Sequence, residues 1–113
     1  MFEKFCDVLC LEKNFITVEI NPPHGASIDG IIAEIKKYNL HEKVTGFSCT
    51  DNPLAKLKMS GVLSAIKVQQ TFGKPVIATM SMRDKNKLSL QSTLLGANDF
   101  DLRCILALTG DPA

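Results

Sequence analysis

A chain of 113 residues can hold one small domain. Its 13 Lys and Arg against 12 Asp and Glu leave a formal net charge of +1, too little to draw it to nucleic acid or to an anionic membrane. No apolar run approaches the ~20 residues that cross a bilayer, and the N-terminus carries Glu3 and Asp7 without a basic stretch or cleavage site, so a cytoplasmic protein is expected.

In chain order, residues 1–13 place Phe2, Phe5, Cys6 and Leu9 at helical spacing and predict an N-terminal helix. Residues 14–113 then alternate strands with helices. Phe15 to Ile20 is a β-branched, apolar run that ends at Asn21-Pro22-Pro23. Ser27 is placed to cap a helix whose stripe is Ile28, Ile31, Ile32 and Ile35. Val44 to Cys49 predicts a second strand, closed by Thr50-Asp51-Asn52-Pro53. Ser60 opens the next helix, with Val62, Leu63, Ile66 and Phe72 toward one face and Gly73 at its end. Pro75 to Met80 predicts strand three, and Asn86 caps a helix with Leu88, Leu94 and Leu95 as its buried side. Cys104 to Leu108 is the last strand, followed by Thr109-Gly110-Asp111-Pro112.

The strands are mostly apolar rather than alternating, as strands covered on both faces should be. Strands separated by helices imply parallel neighbours and right-handed crossovers. The predicted class is therefore α/β. A TIM (βα)8 barrel needs ~250 residues, so this chain reads as its N-terminal half with an extra N-terminal helix. A complete four-stranded open sheet is the competing architecture.

Polar groups gather where such folds carry function, at the C-terminal ends of the strands. These are Glu19 on strand one, Thr50 and Asp51 after strand two, Thr79 and Ser81 on strand three, and Thr109 and Asp111 after strand four. Glu19 interrupts an apolar strand. Burial there would favour its protonated form, as a general acid requires; pairing with Lys or Arg, or exposure to solvent, are the alternatives. Gly110 suits a positive φ or close backbone approach, and Asp111 closes an ordinary Gly-Asp-Pro turn. Arg83 and Asp84 suggest a local ion pair holding the third loop.

Cys6 and Cys10 stand one helical turn apart, but no further ligands complete a metal set, and Cys49 and Cys104 lie in apolar runs. His24 and His41 lack a nucleophile at a recognisable spacing. Neither a dinucleotide fingerprint nor a P-loop is present.

Four segments at four strand ends say more than the pattern does. They are Thr17-Val18-Glu19-Ile20-Asn21-Pro22-Pro23, Thr50-Asp51-Asn52-Pro53, Arg83-Asp84-Lys85-Asn86 with Leu90-Gln91-Ser92, and Leu106-Ala107-Leu108-Thr109-Gly110-Asp111-Pro112. From about residue 14 onward this series resembles the methylenetetrahydrofolate reductase family. The resemblance implies a FAD-dependent barrel enzyme of one-carbon metabolism. It would reduce 5,10-methylenetetrahydrofolate to 5-methyltetrahydrofolate with electrons from NADH, NADPH or another reductant. It makes Glu19 the general acid and Asp111 the carboxylate beside flavin and folate. Thr50, Asp51, Thr79, Thr109 and Gly110 would lie on the cofactor side. Family members better known from bacteria have aromatic residues at Ile20 and Asn21, His at Thr79 and Arg at Thr109. These departures leave the electron donor open.

By itself, a half barrel is expected neither to retain FAD stoichiometrically nor to turn over. Its free strand edges lead to the expectation of a homo-oligomer. A small flavodoxin-like flavin-binding module and a non-catalytic, self-associating half barrel are the alternative readings.

Overall fold

A computed structural model describes residues 14–110 together with Cys6, Asp7 and Cys10. The N-terminal helix expected over residues 1–13 lies outside the described residues, apart from those three, which are helical. The elements are β1 (Thr17–Ile20), α1 (Asp29–Lys37), α2 (Leu40–Lys43), β2 (Gly46–Cys49), a 3-10 turn (Pro53–Ala55), α3 (Gly61–Phe72), β3 (Val76–Ser81), α4 (Lys87–Asp99) and β4 (Cys104–Leu108). The short α2 and the 3-10 turn are additions to the sequence-based expectation. Both follow left-handed asparagines, Asn39 (φ 52°) and Asn52 (φ 43°), a conformation that asparagine tolerates better than most residues.

The four strands form one parallel sheet in the order β1-β2-β3-β4. Every strand lies beside its predecessor, so the chain winds in one direction, as in the successive units of a (βα)8 barrel. A flavodoxin-like sheet instead places its first strand in the interior, between the second and third. Here, among the described residues, β1 is at an edge and has β2 as its neighbour, which is not the flavodoxin-like order. The fold is a partial TIM-barrel-like βα repeat.

The three helix starts show which local signals were decisive. Ser60 Oγ accepts the Leu63 N–H at 3.2 Å, and Asn86 Oδ1 accepts the Ser89 N–H at 2.8 Å, so both caps form. Ser27 Oγ accepts from Asp29 N at 3.1 Å, leaving Ile28 at the cap position with its side chain buried. Gly73 ends α3 in the left-handed region at φ 63°.

Core packing follows the helix periods with two corrections. Ile28, Ile32 and Ile35 are buried as expected, and Ile31 is half-buried. On α3 the buried side is Val62, Ala65, Ile66 and Val68, whereas Leu63 is 65% exposed. On α4 the expected leucines, Leu88, Leu94 and Leu95, are all exposed. Its packed stripe is Leu90, Thr93 and Ala97 instead. That spacing is equally helical, and small Ala97 lets the helix lie close to its neighbours. Phe47 is fully buried, with its ring 5.5 Å from that of Phe72, and His41 stacks on Phe72 at 5.0 Å.

The sheet has two unlike faces. Ile20, Phe47, Cys49, Val76, Ala78 and Met80 point to the helices and are buried. On the other face the strand register aligns Glu19, Ser48, Ile77 and Cys104 in one row, and Thr79 with Leu106 in the next. All six are exposed or half-buried. Among the described residues the strands are therefore covered on one face, not on both. Their apolar character on the open face comes from Ile77, Leu106 and Leu108.

Candidate functional site

The open face and the strand ends enclose a groove of about 370 Å³. Glu19, Thr50, Asp51, Thr79, Thr109 and Gly110, all singled out from the sequence, line it. Ser81, Pro53, Leu106 and Leu108 complete it. Asp111 lies outside the described residues. The convergence follows from parallel winding, since four strands running the same way deliver four C-terminal ends to one rim.

Glu19 is exposed on this face, and among the described residues no cation or hydrogen-bond donor engages its carboxylate. Of the alternatives open from the sequence, the structure shows exposure, because β1 turns its Glu19 side to the uncovered face. Its pairing with Lys or Arg is absent among the described residues. Glu19 thus faces the groove, without a partner among the described residues.

Thr50 donates its hydroxyl to Asn21 Oδ1 at 2.9 Å, and its N–H to Ile20 O at 3.1 Å, joining the ends of β1 and β2. The first turn of α3 presses on the same point. A Cβ on Gly61 would collide with the Thr50 carbonyl oxygen and stand 3.4 Å from that of Thr79. Glycine is required there by close approach of helix to strand ends.

Asp51 is the most enclosed polar group of the rim, with its side chain 6% exposed. Its Oδ2 accepts from Ser81 N at 2.8 Å and from Lys85 Nζ at 2.5 Å, and its Oδ1 accepts from Asn52 Nδ2 at 3.3 Å. Lys85 Nζ also donates to Ser81 O at 3.0 Å. Asn52 Oδ1 accepts from Lys58 N at 2.8 Å, closing the β2 loop on itself. Arg83 and Asp84 form the expected local ion pair, 2.8 Å apart. Sequence reasoning named Lys85 within a motif but gave it no partner; no sequence spacing signals a pair separated by 34 residues.

Gly110 has φ +99°, and a Cβ there would strike Ser81 Oγ and lie 2.7 Å from Arg83 Cβ. Both reasons for glycine hold at once, positive φ and close approach, the latter to the protein's own third loop. Around the rim, Asn52, Leu54, Ala55 and Asp84 all adopt positive φ between 43° and 60°. Such backbone persists only where the surroundings hold it, and it concentrates at functional sites.

The remaining titratable groups lie away from the groove. Burial pushes the Cys49 thiol up to about 12, so it stays protonated as a small hydrophobe. Burial first, and Cys6 second, also raise Cys104. His24 Nδ1 donates to Leu57 O at 2.8 Å, and His41 packs on Phe72, so among the described residues neither is paired with a nucleophile. Among the described residues no three His, Cys, Asp or Glu cluster as metal ligands, and no helix is long and apolar enough to cross a membrane.

Comparison with known proteins adds one finding. A family model described as methylenetetrahydrofolate reductase matches residues 4–113. No curated protein matches the chain.

Proposed function

The chain belongs to the methylenetetrahydrofolate reductase family, which implies a folate-related oxidoreductase, and from that premise we propose that its groove serves FAD-dependent reduction of 5,10-methylenetetrahydrofolate to 5-methyltetrahydrofolate. One observation carries the reading. Glu19, Thr50, Thr79 and the Thr109–Gly110 backbone, from four separate strand ends, line a single groove.

The residues present fit a flavin ring. Leu106 and Leu108, 50% and 47% exposed, offer an apolar floor, while the Thr50, Thr79 and Ser81 side chains and Gly110 offer polar edges. A flat, mostly apolar ring with hydrogen-bonding margins needs that combination. When bound, FAD would accept electrons from NADH, NADPH or another reductant and supply hydride to the folate.

Glu19 is the proton donor. Its carboxyl protonates a nitrogen of the folate's five-membered ring, that carbon–nitrogen bond breaks, and the bridging carbon is left as an iminium. Hydride addition to that carbon completes the methyl group. Asp111, assigned by the resemblance alone, stabilises the cationic iminium with its negative charge. Thr50, Thr79, Thr109 and Gly110 hold the ring edges. Asp51, whose two oxygens are engaged by protein donors, serves the cofactor side by building the rim.

Among the described residues Glu19 stands in water. Catalysis requires a second four-stranded unit to close over the groove and exclude solvent. Among the described residues β1 and β4 each have one strand neighbour, which supports pairing of such units, including the expected homo-oligomer. The cytoplasmic setting is part of the same proposal.

The test is Glu19→Gln in the flavin-loaded protein with its groove closed by the second four-stranded unit, following flavin reduction and its reoxidation by the folate separately by absorbance. Reduction should remain nearly normal while reoxidation by the folate is abolished. Unchanged folate turnover would refute the acid role.

A further inference from the structure

The clamp at the end of β3 takes no part in that chemistry, yet it determines where one side of the groove stands. A single ammonium, Lys85 Nζ, binds Asp51 Oδ2 and Ser81 O. It thereby ties the loop after β2 to the last residue of β3, and folds residues 81–85 back on themselves. The Lys85 side chain is 24% exposed, so the pair is far better shielded than an ordinary surface ion pair. Removing the ammonium would leave an enclosed carboxylate short of a donor.

Ser81 is in turn the seat of Gly110. Its hydroxyl accepts from Arg83 N at 3.2 Å, and Gly110 packs directly on that hydroxyl and on Arg83 Cβ. Beside it, Met82 N donates to Leu108 O at 2.8 Å. Asp84 is held at φ 60° within the same loop. The Thr109–Gly110 backbone thus stands on residues 81–83, and Lys85 fixes their conformation.

We propose that Lys85 is a positioning residue for the groove, setting the height of the Thr109–Gly110 backbone through Asp51 and Ser81. Its consequence for ligand binding rests on the flavin reading above; the clamp itself does not.

The experiment compares Lys85→Met, Lys85→Arg and Lys87→Met in the whole chain, by amide NMR without ligand and by titration with FAD. Lys85→Met should shift the Gly110 resonance and speed exchange of the Met82 amide. It should also weaken FAD binding by roughly tenfold, the scale of one charge-assisted hydrogen bond. Lys85→Arg restores a cationic donor, a guanidinium in place of the ammonium, and should recover most of both effects. Lys87→Met removes the same charge at an exposed neighbouring position and should move neither. Asp51→Asn keeps shape while removing charge, and should reproduce the amide changes if Lys85→Met does not fold. Unchanged Gly110 and Met82 amides overturn the clamp. Amides that move while FAD affinity stays constant overturn the positioning role. Lys85-dependent amides in a chain that binds no FAD leave the clamp standing and refute the flavin reading instead.

Discussion

The two faces of the sheet divide stability from chemistry. The helix face carries Ile20, Phe47, Cys49, Val76, Ala78 and Met80, every one buried, and nothing titrates there in the ordinary pH range. The open face carries Glu19, Ser48 and Thr79 among Ile77, Leu106 and Leu108. One strand therefore serves both purposes by its period of two. Along β3, Val76, Ala78 and Met80 hold the fold, while Thr79 and Ser81 form the groove. Polar residues on the open face cost little because they need not be desolvated until a ligand or second wall covers them.

Substitutions should separate the faces in proportion. Phe47→Ala, which empties the fully buried ring site against Phe72, should cost about 3–5 kcal/mol in urea unfolding. Thr79→Val on the opposite face should stay within about 0.5 kcal/mol. An equal loss at both positions would break the distinction. Gly61→Ala comes next, because it drives a methyl group into the Thr50 carbonyl where helix and strand ends meet. Overpacking of this kind costs roughly 1–3 kcal/mol, and a neutral result would mean α3 can retreat from the rim.

The smallest effect belongs to the helix layer's outer surface. Asp29 accepts from Lys67 Nζ at 2.8 Å, and that hydrogen bond and charge, aided by Ser27, hold its carboxyl below the ordinary 3.8. A depressed carboxylate contributes stability that is complete above its unfolded value and is lost as pH falls through the lower folded one. Asp29→Asn should slightly raise the pH of acid unfolding at low salt and leave it unchanged at high salt, since the pair is solvent-exposed. A salt-independent change would show that the pair is more enclosed than it stands here.

Much of this was legible in the residues. The caps at Ser60 and Asn86, the Gly73 terminus and all four strands follow from local chemistry, and strand ends in parallel order bring the site residues together. What escaped was tertiary. The helical period of α4 is visible, yet two stripes satisfy it, and only packing selects Leu90, Thr93 and Ala97 over the larger leucines. The exposure of Glu19 depends on which face the helices cover, which a strand's own residues do not state. The Asp51–Lys85 clamp joins the loops after β2 and β3, beyond the reach of any local spacing.

The central claim, that the open face is the flavin surface, has a direct test in amide chemical shifts during FAD titration. Weak binding suffices for this measurement. The expected shifts cluster at Thr50, Thr79, Ser81, Leu106, Thr109 and Gly110, while Phe47, Cys49 and Ala78 on the helix face stay fixed. Shifts confined to the helix surface, or none at all at saturating FAD, would contradict it.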